Sequence, residues 1–67
     1  MATYHIWPQG DGKYDVEKDG CKHATSKDLD KKTAEKVAKE LSTNHKTKFG
    51  TVIDHEEGKC TDYSNEE

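Results

Sequence analysis

Arginine is absent from this chain, and all eleven basic residues are lysine. That absence fits an AT-rich coding genome better than any mechanism. Apolar residues are scarce, at 28% of the chain against 37% charged, with a mean hydropathy of -1.27. No run of them approaches the length of a membrane span, which excludes a transmembrane helix. No apolar stretch follows Met1, so no secretory signal is read there and a cytoplasmic protein is expected. In that compartment the two cysteines, Cys21 and Cys60, are free thiols. A composition this polar borders on that of a disordered segment.

The patterning that is present argues for a fold. Tyr4, Ile6, Tyr14 and Val16 alternate with polar residues, as in half-buried strands. Thr3–Trp7 is the first strand, which Pro8 ends or marks as an edge because it cannot donate to a ladder. Gly10-Asp11-Gly12 is a hairpin turn, and Lys13–Lys18 is the second strand. Asp19-Gly20 is a second turn of the same chemistry, leading to a weaker third strand over Cys21–Thr25. Asp30 is an N-cap, since its carboxylate can accept from free first-turn amides. Leu29 and Ala34 stand at hydrophobic-staple positions. The helix runs from Lys31 to about Thr43, with Ala34, Val37, Ala38 and Leu41 as its core face and Asn44 as a cap that tolerates a left-handed conformation. Residues 50–55 read as a strand, Glu57-Gly58 as a turn and residues 59–63 as a last strand.

These elements make one α+β mini-domain over residues 1–63, a small antiparallel sheet in β-β-β-α-β-β order packed on one helix. Residues 64–67 are an acidic tail expected to fray. The large core members are Tyr4, Ile6, Trp7, Tyr14, Val16, Leu29, Val37, Leu41, Phe49, Val52, Ile53 and Tyr63. A core of this size supplies roughly 3–5 kcal/mol of net stability, which partner binding or self-association would raise.

The order of the motifs resembles one small family. His5-Ile6-Trp7-Pro8, Gly10-Asp11-Gly12, Tyr14, Val16, Gly20 and Ala24-Thr25-Ser26 come first. Ala34, Ala38, Glu40 and Leu41 follow, then Val52-Ile53, Gly58-Lys59 and Ser64. Over residues 4–64 this is similar to the bacterial and phage-borne family catalogued as domain of unknown function 2188. The resemblance implies strands, then a helix, then a final hairpin. It implies no activity, because that family has none established. The chain departs from the pattern where members often carry Trp in place of Tyr14 and Thr in place of Asp30, and its linker from Asn44 to Gly50 is long.

Motifs that suggest chemistry fail on spacing. Gly10-Asp11-Gly12-Lys13 lacks the length of a phosphate loop and the Ser or Thr after its lysine. Asp15–Gly20 starts like a calcium loop, but Ser26 stands where the bidentate carboxylate belongs. Cys21 and His23 are too close for finger spacing, and Cys60 has no cysteine partner at finger spacing, so no metal or cofactor is expected. Without a glycine elbow or a large pocket, a non-enzymatic protein is expected.

Charge segregation is the feature with functional content. Residues 21–48 carry a net charge of +4, residues 1–20 of -2 and residues 49–67 of -5. Lys31, Lys32, Lys36 and Lys39 lie away from the helix's apolar face, and His45, Lys46 and Lys48 continue the stripe. Such a stripe suits a phosphate backbone, with Trp7 and His5 projecting opposite Tyr4 and Ile6 as a stacking platform. The bland alternative is a solvated helix face laced with pairs such as Glu35 to Lys39. The first functional reading is therefore a phage or bacterial accessory factor that binds nucleic acid, RNA or single strands first. The second is an inhibitor whose acidic surface, Asp54, Glu56, Glu57, Asp62, Glu66 and Glu67, mimics nucleic acid toward a basic host protein. A third is a homodimeric structural protein with no ligand.

Overall fold

The computed structural model describes residues 2–44 and 48–64. Among these described residues six elements follow one another: β1 (Ala2–Gly10), β2 (Lys13–Lys18), β3 (Ser26–Leu29), α1 (Lys31–Thr43), β4 (Phe49–Asp54) and β5 (Lys59–Ser64). The class is α+β, with one helix packed on a five-stranded sheet of order β3-β2-β1-β4-β5. The sheet is mixed, which corrects the expectation of antiparallel pairing throughout. β1 and β4 pair in parallel, Tyr4 opposite Val52 and Ile6 opposite Asp54, while the other neighbours are antiparallel. The cause is parity. Two reversals leave β3 running with β1, the helix carries the chain back, and β4 must then run with β1 again.

Local chemistry sets the turns. Asp11 and Gly12 both take positive φ, 53° and 71°, the conformation a two-residue type I′ hairpin needs. The third strand is displaced from the expected Cys21–Thr25 to Ser26–Leu29. The Asp19-Gly20 turn closes tightly, with the Cys21 amide donating to Lys18 O at 3.0 Å. The chain then swings wide, until Ser26 meets Val16 and the half-buried Leu29 meets Tyr14. Leu29 is the only large apolar residue between this turn and the helix, so it anchors the third strand against β2. β1 also runs on through Pro8 to Gly10. Pro8 lies past the last β1–β4 pair, where β1 has β2 on one side alone, so its missing donor is tolerated.

The helix bounds and its Asp30 cap agree with the sequence reading, the Asp30 carboxylate accepting from the Thr33 amide at 2.7 Å. Asn44 occupies the C-cap with φ of -90°, so it uses no left-handed conformation. The buried helix face is Ala34, Ala38, Ser42 and Thr43; Val37 and Leu41 are only half-buried, which corrects the expected face. Gly50 explains the rotation. A Cβ there would collide with the Ser42 backbone and side chain, so the bare glycine lets this end of the helix settle onto β4. The core is Ala2, Tyr4, Ile6, Tyr14, Val16, Ala34, Ala38 and Val52, between helix and sheet. Trp7 and Phe49, expected in it, are 38% and 47% exposed. Trp7 alternates with Ile6 and so faces the side the helix does not cover.

Candidate interaction surfaces

On the helix side, a polar knot joins β2, α1 and the turn after β4. The Tyr14 hydroxyl donates to Glu56 Oε2 at 2.6 Å. Lys31 Nζ lies 2.8 Å from both Glu56 Oε1 and Asp54 Oδ2, and 4.9 Å from the centre of the Tyr14 ring. Asp54 also accepts from the Glu56 and Glu57 amides, which shapes the turn. Burial pushes the Asp54 carboxyl up, yet the Lys31 ammonium and these two amides bring it below the ordinary value. The Lys31 hydrogen bond, then that of Tyr14, holds Glu56 low; the Glu56 hydrogen bond holds Tyr14 high, and those to Asp54 and then Glu56 hold Lys31 high. The carboxylates of Glu35, Asp54 and Glu57 also lie within 4.8 Å of one another, beside a cleft of about 90 Å³. Asp54 is already committed to Lys31, and the cleft falls below the several hundred Å³ of a ligand pocket.

The other side of the sheet is bare of helix. Trp7 stacks on His55 with centroids 3.6 Å apart and planes 5° from parallel. His5 completes the group, 5.0 Å from the His55 ring and 5.9 Å from Trp7. Its Nδ1 is 2.8 Å from His55 Nε2, and its Nε2 is 2.7 Å from Asp19 Oδ1. The cross-strand partner of Trp7 is Asp15 and that of His5 is Glu17. Asp62 shares this face from β5, its carboxylate accepting from the Thr51 hydroxyl at 2.8 Å. Lysines of the same strand parity, Lys13 and Lys27, stand only at the rim, at the hairpin end and on the edge strand.

The structure divides the lysine and Trp7 set instead of assembling it. Lys32, Lys36 and Lys48 are exposed, and Lys39 lies 5.1 Å over the Tyr63 ring. Lys31 is committed to the knot, and Trp7 lies on the opposite side of the sheet. His45 and Lys46 fall outside the described residues. The acidic set is likewise divided. Asp54 is buried, Glu56 is tied to Lys31 and Tyr14, Glu57 is exposed, Asp62 is on the open face, and Glu66 and Glu67 fall outside the described residues. His55 and Asp19 are the residues that sequence reasoning missed. The alternation of His5 with Trp7 gave half of the cluster. His55, fifty positions away, arrives only through the parallel β1–β4 register, where its amide donates to Ile6 O at 3.0 Å. Comparison with protein-family models, curated proteins and solved structures gave no match.

Proposed function

We propose that this protein is a non-enzymatic binding module, a phage or bacterial accessory factor, that takes a basic segment of another protein on its open sheet face. One observation carries the reading: the exposed Trp7 ring sits in an acidic setting, with Asp15, Glu17 and Asp19 around its stack. An aromatic face attracts lysine or arginine cations, and carboxylates beside it add charge complementarity. The same carboxylates repel phosphate, which turns this face away from nucleic acid. The strand and helix order agrees with what the resemblance to the uncharacterised phage and bacterial family implies for the fold, and that resemblance carries no activity with it.

The nucleic-acid reading moves to the helix, where Lys32 and Lys36 stand exposed together. The deciding experiment titrates labelled lysine- and arginine-rich peptide, and labelled single-stranded RNA, at two salt concentrations. Peptide binding that Trp7→Ala or the pair Asp15→Asn with Glu17→Gln abolishes is the expected result. RNA binding that falls steeply with salt and disappears in Lys32→Glu with Lys36→Glu replaces the proposal with the nucleic-acid reading.

A further inference from the structure

The contact between His5 and His55 fixes proton positions as well as shape. A carboxylate can only accept, so His5 donates its Nε2–H to Asp19. In neutral His5, Nδ1 is then an acceptor, and His55 must donate its Nε2–H across the 2.8 Å gap. These hydrogens are assigned from the hydrogen-bond network. The chain is directional, from His55 to His5 to Asp19.

One added proton leaves the contact intact. Whichever ring holds it, the other still offers a lone pair to the facing N–H. A second proton gives every ring nitrogen a hydrogen. Two donors then face each other at hydrogen-bond distance, and the rings must part. His5 is anchored in the middle of β1, with its side chain 15% exposed and Asp19 on its far nitrogen. His55 sits in the turn after β4, so it is the ring that leaves. Trp7, stacked on His55, then loses its cover.

We propose that the His5–His55 pair is a pH switch on the Trp7 platform, closed with no proton or one added to the pair and open when both rings are charged. The groups facing the pair come from every neighbouring element. β2 and its turn supply Glu17 and Asp19, with Asp15 opposite Trp7; β4 supplies only Ile53; β5, one strand further, supplies Cys60 and Asp62. The helix packs on the other side. Carboxylates face the first charge on the pair, and two charged rings at this distance repel each other. Opening also places positive charge beside Asp15, Glu17 and Asp19, so acid releases a basic partner. That consequence rests on the proposed function, whereas the switch does not.

Trp7 is the single tryptophan, so its emission reports the switch directly. The free protein is titrated from about pH 8 to about pH 4, across the range in which imidazoles change charge. Trp7 emission, acrylamide quenching and the imidazole resonances of His5 and His55 are followed in wild type, His55→Gln and Asp19→Asn, with circular dichroism confirming the fold at each pH. In wild type the resonances are expected to show protons entering the pair in two steps, as coupled groups do. Emission shifts to the red and quenching rises at the second step alone. His55→Gln leaves one step and no pH-dependent change in Trp7; Asp19→Asn moves the first step to lower pH. A single shared step in wild type, or a Trp7 response that survives in His55→Gln, overturns the switch. If His55→Gln does not fold, the step separation in wild type and the first-step position in Asp19→Asn decide. Failure of peptide binding leaves these signals unchanged and overturns only the choice of partner.

Discussion

Single atoms decide several features of this protein. Gly50 is required for its missing Cβ and not for its backbone freedom, because any side chain there would meet the Ser42 backbone. Gly50→Ala is expected to cost about 1–3 kcal/mol through overpacking, read as a lowered midpoint in urea denaturation. Gly12→Ala has open space around it and tests a different cause, the positive φ of 71°. Lys31 is the other decisive residue. Without its ammonium, Asp54 and Glu56 face each other and the Tyr14 ring uncompensated. Lys31→Met is therefore expected to lower the Tm at pH 7, while Lys32→Met, at an exposed position, leaves it nearly unchanged. Equal Tm values for the two variants would show that the knot adds no stability.

The helix illustrates how a small seam can outweigh larger side chains. Ala34, Ala38 and Ser42 are spaced by four and lie fully buried against the sheet. Val37 and Leu41 flank that seam and keep part of their surface in water. Leu41→Ala is accordingly expected to cost no more than about 2 kcal/mol, the low end for buried leucine truncations. Ala38→Leu, forced into the seam, is expected to destabilise more, and denaturant melts of the two variants give the order directly. The reverse order would place the helix's buried centre at Leu41. The Asp30 cap belongs to this scale as well. Its carboxylate accepts from the Thr33 amide, Thr33 hydrogen bonds hold it below the ordinary value, and Asp30→Ala is expected to fray the first turn, read as lost helical circular dichroism.

At the scale of the whole molecule, stability is expected to fail at both ends of the pH range. Asp54, Glu56 and Asp30 lie below the ordinary 3.8 of Asp and 4.5 of Glu, so the folded state binds their protons less tightly than the unfolded chain does. Their contribution is present above those ordinary values and is lost as pH falls through and below them. Lys31 and Tyr14 lie above the ordinary 10.5 and 10.0, so their contribution is complete below those values and is lost as pH rises past them. Tm measured against pH should form a plateau with an acid and an alkaline shoulder, and Lys31→Met should flatten both. The sequence by itself determined the elements that local physics controls: the Asp11-Gly12 hairpin, the Asp30-capped helix and the alternation that buries Tyr4, Ile6, Tyr14 and Val16. It also carried the His5–Trp7 alternation, because one strand's period of two is a local property. The rest came from contacts between residues far apart in the chain. Parity of chain reversals made β4 parallel to β1, Leu29 anchored the third strand against β2, and Gly50 chose which face of the helix is buried. Only the tertiary structure parted Trp7 from the lysines and set it against His55, because helix and open face lie on opposite sides of a sheet one strand thick.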